Sequence, residues 1–312
     1  MPGPVAVVDV GSNSIKVLVA ARNDQGGITS LLSRTVDARI SAGISRESPQ
    51  LSEAGMARGL EAIATLLAEA ATHGAASHVL VATSAVRDAR NGGEFRSRVR
   101  AATGHDLRIL TGEEEANLIG RGLTCDATLR HLQDFRVFDL GGGSLEILEF
   151  RTRRVQRAVS LPLGCVRLTE RVIPDATAPF SPDAAAAITS HVRTEMERTG
   201  LATPLPAGAT AIGTGGSVAT ARAILGASAQ CDFADTSPSV TVGELRRLLA
   251  WLGALPLDER RRVPGLPPAR ADVFPAALAT LLAVADCQGC TEFHHSLCNL
   301  RYGLAAELLG IE

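Results

Sequence analysis

Two short segments of the chain combine an aspartate with a turn of small polar residues. Asp9 precedes Gly11–Ser14 and Asp139 precedes Gly141–Ser144, in the shared frame apolar strand, D-x-G-x-x-S, apolar strand. Glycine lets the backbone approach a ligand closely, and successive N–H groups in a tight turn form a concave anion site. We therefore predict that both turns bind phosphate. The predicted contacts are Gly11, Ser12, Asn13, Ser14, Gly141, Gly142, Gly143 and Ser144.

The two aspartates predict a divalent cation. A carboxylate beside a phosphate site repels the phosphate unless a cation lies between them. In phosphate sites Mg²⁺ is usually held by one or two carboxylates and by water. Asp9 and Asp139 therefore indicate Mg²⁺, or Mn²⁺, as the cofactor.

A third loop, Gly213–Ser217, follows a predicted strand at Thr210–Ile212 and opens a predicted helix. This arrangement directs backbone N–H groups and a helix N-terminus at an anion; the alternative is a plain strand-to-helix turn. A P-loop is excluded because it needs a Gly-Lys pair, and the only lysine, Lys16, follows Ile15. A dinucleotide-binding βαβ unit is excluded because neither aspartate-containing turn leads directly from a strand into a helix.

The elements that carry the two turns predict an α/β fold with an internal repeat. The segment VAVVDVGSNSIKVLVA aligns with FRVFDLGGGSLEILEF, which places Asp9 on Asp139 and Ser14 on Ser144. We expect a duplicated architecture with one cleft between its halves; a chance match of two glycine-rich hairpins is the alternative. Apolar spacing predicts a helix after an N-cap at Ser52. The strands predicted before it are Pro4–Val10, Ile15–Ala21 and Ile28–Ile40.

The composition is that of a soluble globular protein of one large or two ordinary domains. The chain has 312 residues, of which 46% are hydrophobic and 21% charged, with a formal net charge of -2. This charge argues against nucleic-acid binding through global positive charge, although a local basic groove stays open. No apolar run approaches the ~18 residues of a membrane helix, and the N-terminus does not resemble a secretory signal. We expect a cytoplasmic protein with no nucleic-acid or membrane partner.

Six cysteines are too few for a disulfide scaffold in a chain of this length. Cys287, Cys290 and Cys298, near His294 and His295, could form a zinc site or a redox pair. We favour the alternative that residues 290–296 form a strand, because a strand directs neighbouring side chains to opposite faces and separates these ligands.

Several motifs together resemble the exopolyphosphatase and guanosine pentaphosphate phosphatase family. The resemblance covers nearly the whole chain in order, and the length is similar to that of members without extra C-terminal helical domains. The motifs are DVGSNS (Asp9–Ser14), TGEEEA (Thr111–Ala116), DLGGGSLE (Asp139–Glu146), GTGGS (Gly213–Ser217), RADV (Arg270–Val273) and LRYGL (Leu300–Leu304).

The resemblance implies a two-lobed α/β fold that is duplicated and actin-like (ribonuclease H-like), as in sugar kinases and Hsp70-type ATPases. It implies an active site in the interlobe cleft and a homodimer. On this basis we expect one lobe from residues 1–125 with the last helix, 299–312, and a second lobe from residues 126–298.

The resemblance also implies a role for particular residues. Glu115 matches the catalytic glutamate that activates water, and Glu146 matches a second essential glutamate. Arg87 matches an arginine that binds phosphate. Lys16, also expected to bind phosphate, retains a cation where many members have arginine or another residue. The implied metal residues are Asp9, Asp139 and Glu146. The third loop, implied to face a nucleoside or further phosphates, contributes Gly213, Gly215, Gly216 and Ser217.

Structural alternatives accompany these roles. Glu113–Glu115 could be an acidic first helical turn favoured by the helix dipole. Arg87 could form a surface ion pair with Asp88, and the clustered arginines elsewhere are typical of solvated faces or, alternatively, of a groove for a long polyanion.

The predicted function is hydrolysis of terminal orthophosphate from inorganic polyphosphate, by water that Glu115 activates with help from the metal. The alternative is a guanosine pentaphosphate 5′-phosphatase. Less favoured are a non-hydrolytic nucleotide-binding regulatory protein and an actin-like kinase or ATPase.

Overall fold

The computed structural model describes residues 3–44 and 49–311. Its strands are β1 (Val5–Val10), β2 (Ile15–Arg22), β3 (Ile28–Val36), β4 (Ser77–Ala82), β5 (Leu107–Ile109), β6 (Phe135–Leu140), β7 (Leu145–Arg151), β8 (Arg154–Leu161), β9 (Thr210–Thr214), β10 (Ser239–Thr241) and β11 (Glu292–His295). Its helices are α1 (Glu53–Thr72), α2 (Ser84–Asp88), α3 (Gly92–Thr103), α4 (Gly112–Thr124), α5 (Cys165–Val172), α6 (Pro182–Arg198), α7 (Gly215–Ser228), α8 (Val242–Ala254), α9 (Leu257–Arg260), α10 (Phe274–Gln288) and α11 (Leu300–Leu309).

The chain divides into two compact units. The first comprises the described parts of residues 1–131, 158–160 and 298–312, and the second comprises residues 132–157 and 161–297. The first unit contains a five-stranded sheet of order β3-β2-β1-β4-β5, and the other sheet has the order β10-β11-β9-β6-β7-β8.

The two sheets repeat one pattern of strand directions. In the first, β1 is antiparallel to β2 and parallel to β4, which is parallel to β5. In the second, β6 is antiparallel to β7 and parallel to β9, which is parallel to β11. β10 adds an antiparallel edge strand. The prediction of a duplicated α/β fold with the strand plan of an actin-like (ribonuclease H-like) protein is therefore confirmed.

Burial explains why the aspartate-containing strands are mostly apolar. β1 is buried on both faces apart from the half-buried Asp9, and every residue of β6 is buried. The core of the first unit forms where β1 and β2 pack against α1, whose predicted N-cap at Ser52 is confirmed because its side chain accepts a hydrogen bond from the Gly55 N–H.

One local prediction, the C-terminal end of the third strand, was wrong. β3 ends at Val36, before the predicted limit at Ile40, because the following segment leaves the sheet and bonds to the first turn. Arg39, in that segment, has a φ of 43°, which is uncommon for a residue other than glycine.

None of the helices in the described residues combines the length and the apolar composition that a membrane span requires.

Candidate active site

The first predicted phosphate turn closes the β1–β2 hairpin. The Gly11 N–H donates to the Ser14 carbonyl over 3.2 Å, and Asp9 lies opposite Lys16 in the strand register. Directly opposed residues of antiparallel strands place their side chains on one face of the sheet. Asp9 and Lys16 therefore form a pair of opposite charge beside the turn.

The carbonyls of this turn are bonded by the segment that follows β3. The Asn13 carbonyl accepts from the Arg39 N–H over 2.8 Å, and the Ser12 carbonyl accepts from the Ser41 hydroxyl over 3.0 Å. In a trans peptide the carbonyl of one residue and the N–H of the next point in opposite directions. The N–H groups of Asn13 and Ser14 therefore point away from this segment, as an anion-binding turn requires.

Two side chains of the first turn region carry polar atoms without a partner. The Oδ1 atom of Asp9 and both side-chain polar atoms of Asn13 are buried and have no hydrogen-bond partner among the described residues. Buried polar atoms are normally hydrogen-bonded, so these atoms are available to a water molecule, an ion or a bound ligand. Burial raises the pKa of Asp9, while the charges of Lys16 and Arg301 oppose that rise.

Arg301 of the LRYGL motif lies on α11 and contacts β2 of the same hairpin. Its guanidinium is largely buried and lies 3.4 Å from both the Val17 carbonyl and the Ser33 hydroxyl. The motif therefore brings a positive charge to β2, near Asp9.

The three consecutive acids at the start of α4 have three different environments. Glu113 is exposed, whereas Glu114 completes a capping box with Thr111 and pairs with Arg108 at 2.6 Å. The bond to Arg108, and to a smaller extent the capping bond with Thr111, lower the pKa of Glu114 to about 2. Glu115 is buried, with 6% of its surface exposed. Glu114 therefore has the structural role, in which an acid at the start of a helix caps it and is favoured by the helix dipole. Glu115 is the buried carboxylate of the three.

Glu115 forms an ion pair with Arg87 of α2. Arg87 Nη1 lies 2.8 Å from the Glu115 carboxylate and 3.2 Å from the Leu110 carbonyl, and Arg87 Nε lies 3.5 Å from Asp88. The ion pair between Arg87 and Asp88 exists as the alternative predicted. The contact between Arg87 and Glu115 is shorter, and both of these residues are predicted site residues. A charge-assisted bond of this kind fixes the orientation of the carboxylate.

The second predicted turn repeats the first. The Gly141 N–H donates to the Ser144 carbonyl over 3.0 Å, and the start of α5 bonds the turn carbonyls. Gly164, directly before α5, lies so close that a Cβ atom there would overlap the backbone of Gly142 and Gly143. A glycine is therefore required at this position for α5 to reach the turn.

Asp139 and Glu146 lie opposite each other in the β6–β7 register, in the positions that Asp9 and Lys16 have in the first hairpin. Both carboxylates are buried, with 8% and 2% of their surfaces exposed. Opposed like charges destabilise a sheet, and burial of a charge requires compensation. Two oxygen donors on one face fit a hard divalent cation that also keeps water and substrate oxygens as ligands. Asp139 and Glu146 would hold such an ion.

The third loop packs tightly against the end of β6. Gly215 has a φ of 83°, and a Cβ atom on it would overlap the Asp139 carboxylate. The Ser217 hydroxyl donates to the Leu140 carbonyl over 2.9 Å, so its hydrogen is used within the fold. Arg270 of the RADV motif donates to the Gly216 carbonyl and to the Thr220 hydroxyl. This loop therefore positions Asp139, and its phosphate contacts stay a prediction.

Comparison with known proteins agrees with these motifs. Residues 18–312 match the model of the Ppx/GppA phosphatase family. The chain belongs to this family. The predicted resemblance is therefore confirmed, and so is the predicted enzyme class, a phosphoanhydride hydrolase, at the level of the Ppx/GppA family.

Relatives of both named types are similar to this chain. Exopolyphosphatase 1 of Mycobacterium tuberculosis is 30% identical over 275 residues, which are 86% of this chain and 77% of that protein. A guanosine-5′-triphosphate,3′-diphosphate pyrophosphatase of Aeromonas hydrophila is 28% identical; the match covers 98% of this chain and 59% of that protein. The crystal structure of an exopolyphosphatase from Cytophaga hutchinsonii has the same fold, with a TM-score of 0.86, 21% identity and 99% coverage of both chains.

Sequence reasoning about this Ppx/GppA protein missed one residue at the second turn and left two motif arginines without a role. The missed residue is Arg167, whose side chain bonds the Gly143 carbonyl. Arg270 and Arg301 fell within the quoted motifs, but their partners are distant in sequence. A half-buried or buried arginine that bonds a glycine-rich turn is the signal that would have identified Arg167 and Arg270, and this signal requires the folded structure.

A strand forms within the predicted range 290–296, but it is shorter, because β11 covers only Glu292–His295 and Cys287, Cys290 and Cys298 lie outside it. Within the described residues there is no group of three or more His, Cys, Asp or Glu side chains arranged to hold a metal ion. Burial raises the pKa of the Cys290 thiol to about 11, which disfavours the thiolate needed for metal binding or redox exchange.

Proposed function

We propose that the protein is an exopolyphosphatase, which releases orthophosphate from the end of inorganic polyphosphate. The observation that carries the proposal is the pair of matched turns. In each turn the carbonyls accept hydrogen bonds from a neighbouring segment, and the N–H groups point to the opposite side. Backbone donors fixed in this manner stabilise charge on phosphoryl oxygens without reorganising during the reaction.

In the proposed reaction a water oxygen attacks the terminal phosphorus and loses a proton to the Glu115 carboxylate. A new P–O bond forms, the bridging P–O bond breaks, and the shortened polyphosphate leaves with the bonding electrons. Arg87 supports this step because it fixes the orientation of Glu115 over 2.8 Å. A divalent cation held by Asp139 and Glu146 would supply charge neutralisation at the phosphoryl oxygens.

The similarity to relatives supports polyphosphate as the first substrate to test. The relative named exopolyphosphatase 1 is 30% identical and is matched over 77% of its length, compared with 59% for the Aeromonas hydrophila relative. Guanosine pentaphosphate is the second candidate, since the match to that relative extends over 98% of this chain. Both substrates present a terminal phosphoanhydride to the same groups.

The test measures liberated orthophosphate from polyphosphates of several lengths and from guanosine pentaphosphate, each with Mg²⁺. We expect the larger kcat/KM for polyphosphate. Glu115→Gln should reduce kcat by about 10²–10⁴-fold, the contribution of a general base. The matched control is Glu114→Gln, on the adjacent residue, which should retain activity. Full activity of Glu115→Gln would exclude the proposed base, and a larger kcat/KM for the nucleotide would favour the second candidate.

A further inference from the structure

The first turn of α5 places an arginine against the second phosphate turn. The Arg167 main-chain N–H donates to the Gly142 carbonyl over 3.2 Å, and its Nε donates to the Gly143 carbonyl over 2.9 Å. The side chain is half-buried. A residue bonded to the turn through both its main chain and its side chain has a defined position relative to that turn.

The bonds from α5 orient three successive peptide groups. The carbonyls of Gly141 and Gly142 accept from main-chain N–H groups at the start of α5, at 2.8–3.2 Å, and the Gly143 carbonyl accepts from the Arg167 side chain. Because each carbonyl is opposed to the next residue's N–H, the N–H groups of Gly142, Gly143 and Ser144 all point away from α5. Three N–H groups with a common direction form an anion-binding concavity.

The location of Arg167 in its helix is electrostatically unfavourable. It occupies the first turn of α5, and that turn contains no acidic residue. The positive end of the helix dipole disfavours a cation there. Helix formation therefore does not favour an arginine at this position. Its hydrogen bond to the Gly143 carbonyl offsets the unfavourable interaction with the helix dipole.

We propose that Arg167 is a positioning residue of the phosphoryl-transfer site, which directs the Ser144 N–H at a phosphate oxygen of the substrate. The inference rests on the proposed function and extends it. Arg167 acts through the peptide group that joins Gly143 to Ser144, and its role is separate from those of Glu115 and Glu146.

Two substitutions of equal length separate the hydrogen bond from the charge. Arg167→Gln removes the charge but keeps an N–H donor at the same number of bonds from the backbone. Arg167→Met removes both the donor and the charge and keeps the aliphatic bulk. Arg171→Met is the matched control, because Arg171 lies one turn further along α5, is exposed, and contacts His191 at 3.3 Å rather than the turn.

The experiment measures kcat and KM for polyphosphate, together with thermal unfolding. It also measures the affinity for inorganic tripolyphosphate with Mg²⁺ by calorimetry, with each substitution placed in a Glu115→Gln background so that the ligand is not hydrolysed. Arg167→Met should lower both kcat/KM and tripolyphosphate affinity by about tenfold, whereas Arg167→Gln should stay within about threefold of the wild type. Arg171→Met should match the wild type. If Arg167→Met does not fold, Arg167→Lys replaces it and should show the loss, because its nitrogen lies one bond further out.

Two results would overturn the inference. Equal values for Arg167→Met and Arg171→Met would show that the bond to Gly143 has no part in the reaction. Equal impairment of Arg167→Gln and Arg167→Met would show that charge, and not peptide orientation, is the contribution. If the variants bind tripolyphosphate in the expected order but the wild type does not hydrolyse polyphosphate, the result would contradict the proposed function alone.

Discussion

At the scale of single residues, neighbours of identical type have unlike roles because their environments differ. Glu114 and Glu115 are adjacent acids at the start of one helix, yet one caps the helix and the other is buried against Arg87. The sequence predicted both a structural and a catalytic use of this acidic run. It could not assign them to individual residues, because that choice depends on the distant Arg87 and on Arg108.

The bond of Glu114 to Arg108, together with its capping bonds to Thr111, predicts a pH-dependent contribution to stability. Its pKa in the folded protein is about 2, against an ordinary value of 4.5. A lowered pKa stabilises the fold above the ordinary value, and that contribution is lost as the pH falls from about 4.5 to about 2. Urea unfolding at pH 6 should find Glu114→Gln less stable than the wild type by at most about 1 kcal/mol, since the pair is exposed. At pH 2 the difference should vanish, and a constant difference would contradict this account.

The ion pair between Arg87 and Glu115 predicts strong coupling between the two side chains. Arg87→Met should lower the free energy of unfolding by about 1–3 kcal/mol, because it leaves a buried carboxylate without its cation. In a Glu115→Gln background the same change should cost at least about 1 kcal/mol less. The exposed pair Arg108–Glu114 is the control cycle, with an expected coupling below about 1 kcal/mol. Equal coupling in the two cycles would contradict a special role for the buried pair.

At the scale of elements, α11 holds α4 in place through direct backbone contact. A Cβ atom on Gly303 of the LRYGL motif would overlap the Leu118 carbonyl, and one on Gly122 would overlap the Asn299 carbonyl. The glycine in the motif is therefore needed for two helices to approach closely. Since α4 carries Glu115, the last helix of the chain contributes to the position of the candidate base.

This contact predicts opposite effects for two Gly→Ala substitutions. Gly303→Ala should destabilise the protein by about 1–3 kcal/mol, because the added methyl separates α11 from α4, and it should also lower kcat. Gly93→Ala, in α3, meets nothing within 4 Å and should be neutral or stabilise by up to about 1 kcal/mol. Thermal unfolding and phosphate release would measure both effects. Unchanged stability of Gly303→Ala would mean that the helices can separate at no cost.

The elements predicted well are those whose pattern is local. α1 has a capping serine and a long apolar stripe, and it begins directly after the predicted N-cap at Ser52. α2 and α5 have five and eight residues, too few for a helical period to be read from sequence. The end of β3 was misplaced because the bond from the Arg39 N–H to the Asn13 carbonyl joins residues far apart in the chain.

At the scale of the whole molecule, duplication explains why the fold could be predicted from the sequence and why the roles of equivalent residues could not. The two sheets share a strand plan, but the sequence repeat survives only in the hairpins, where the turn and its aspartate constrain the residue types. The register pairs Asp9 with Lys16 in one copy and Asp139 with Glu146 in the other. The two hairpins thus share one backbone arrangement but differ in charge. The second hairpin has the pair of carboxylates that fits a cation.

That divergence predicts a reversal of stability order with magnesium. In chelator, Glu146→Gln should be at least as stable as the wild type, because it removes repulsion between opposed carboxylates. With Mg²⁺ the wild type should become the more stable protein, gaining about 2.7 kcal/mol at a hundredfold excess over Kd, and the variant should gain much less. Glu149→Gln, on the same strand but beside Arg151 at 3.1 Å, should respond to Mg²⁺ as the wild type does. Thermal unfolding across a Mg²⁺ series measures all three, and parallel responses of wild type and Glu146→Gln would remove Glu146 from the metal site.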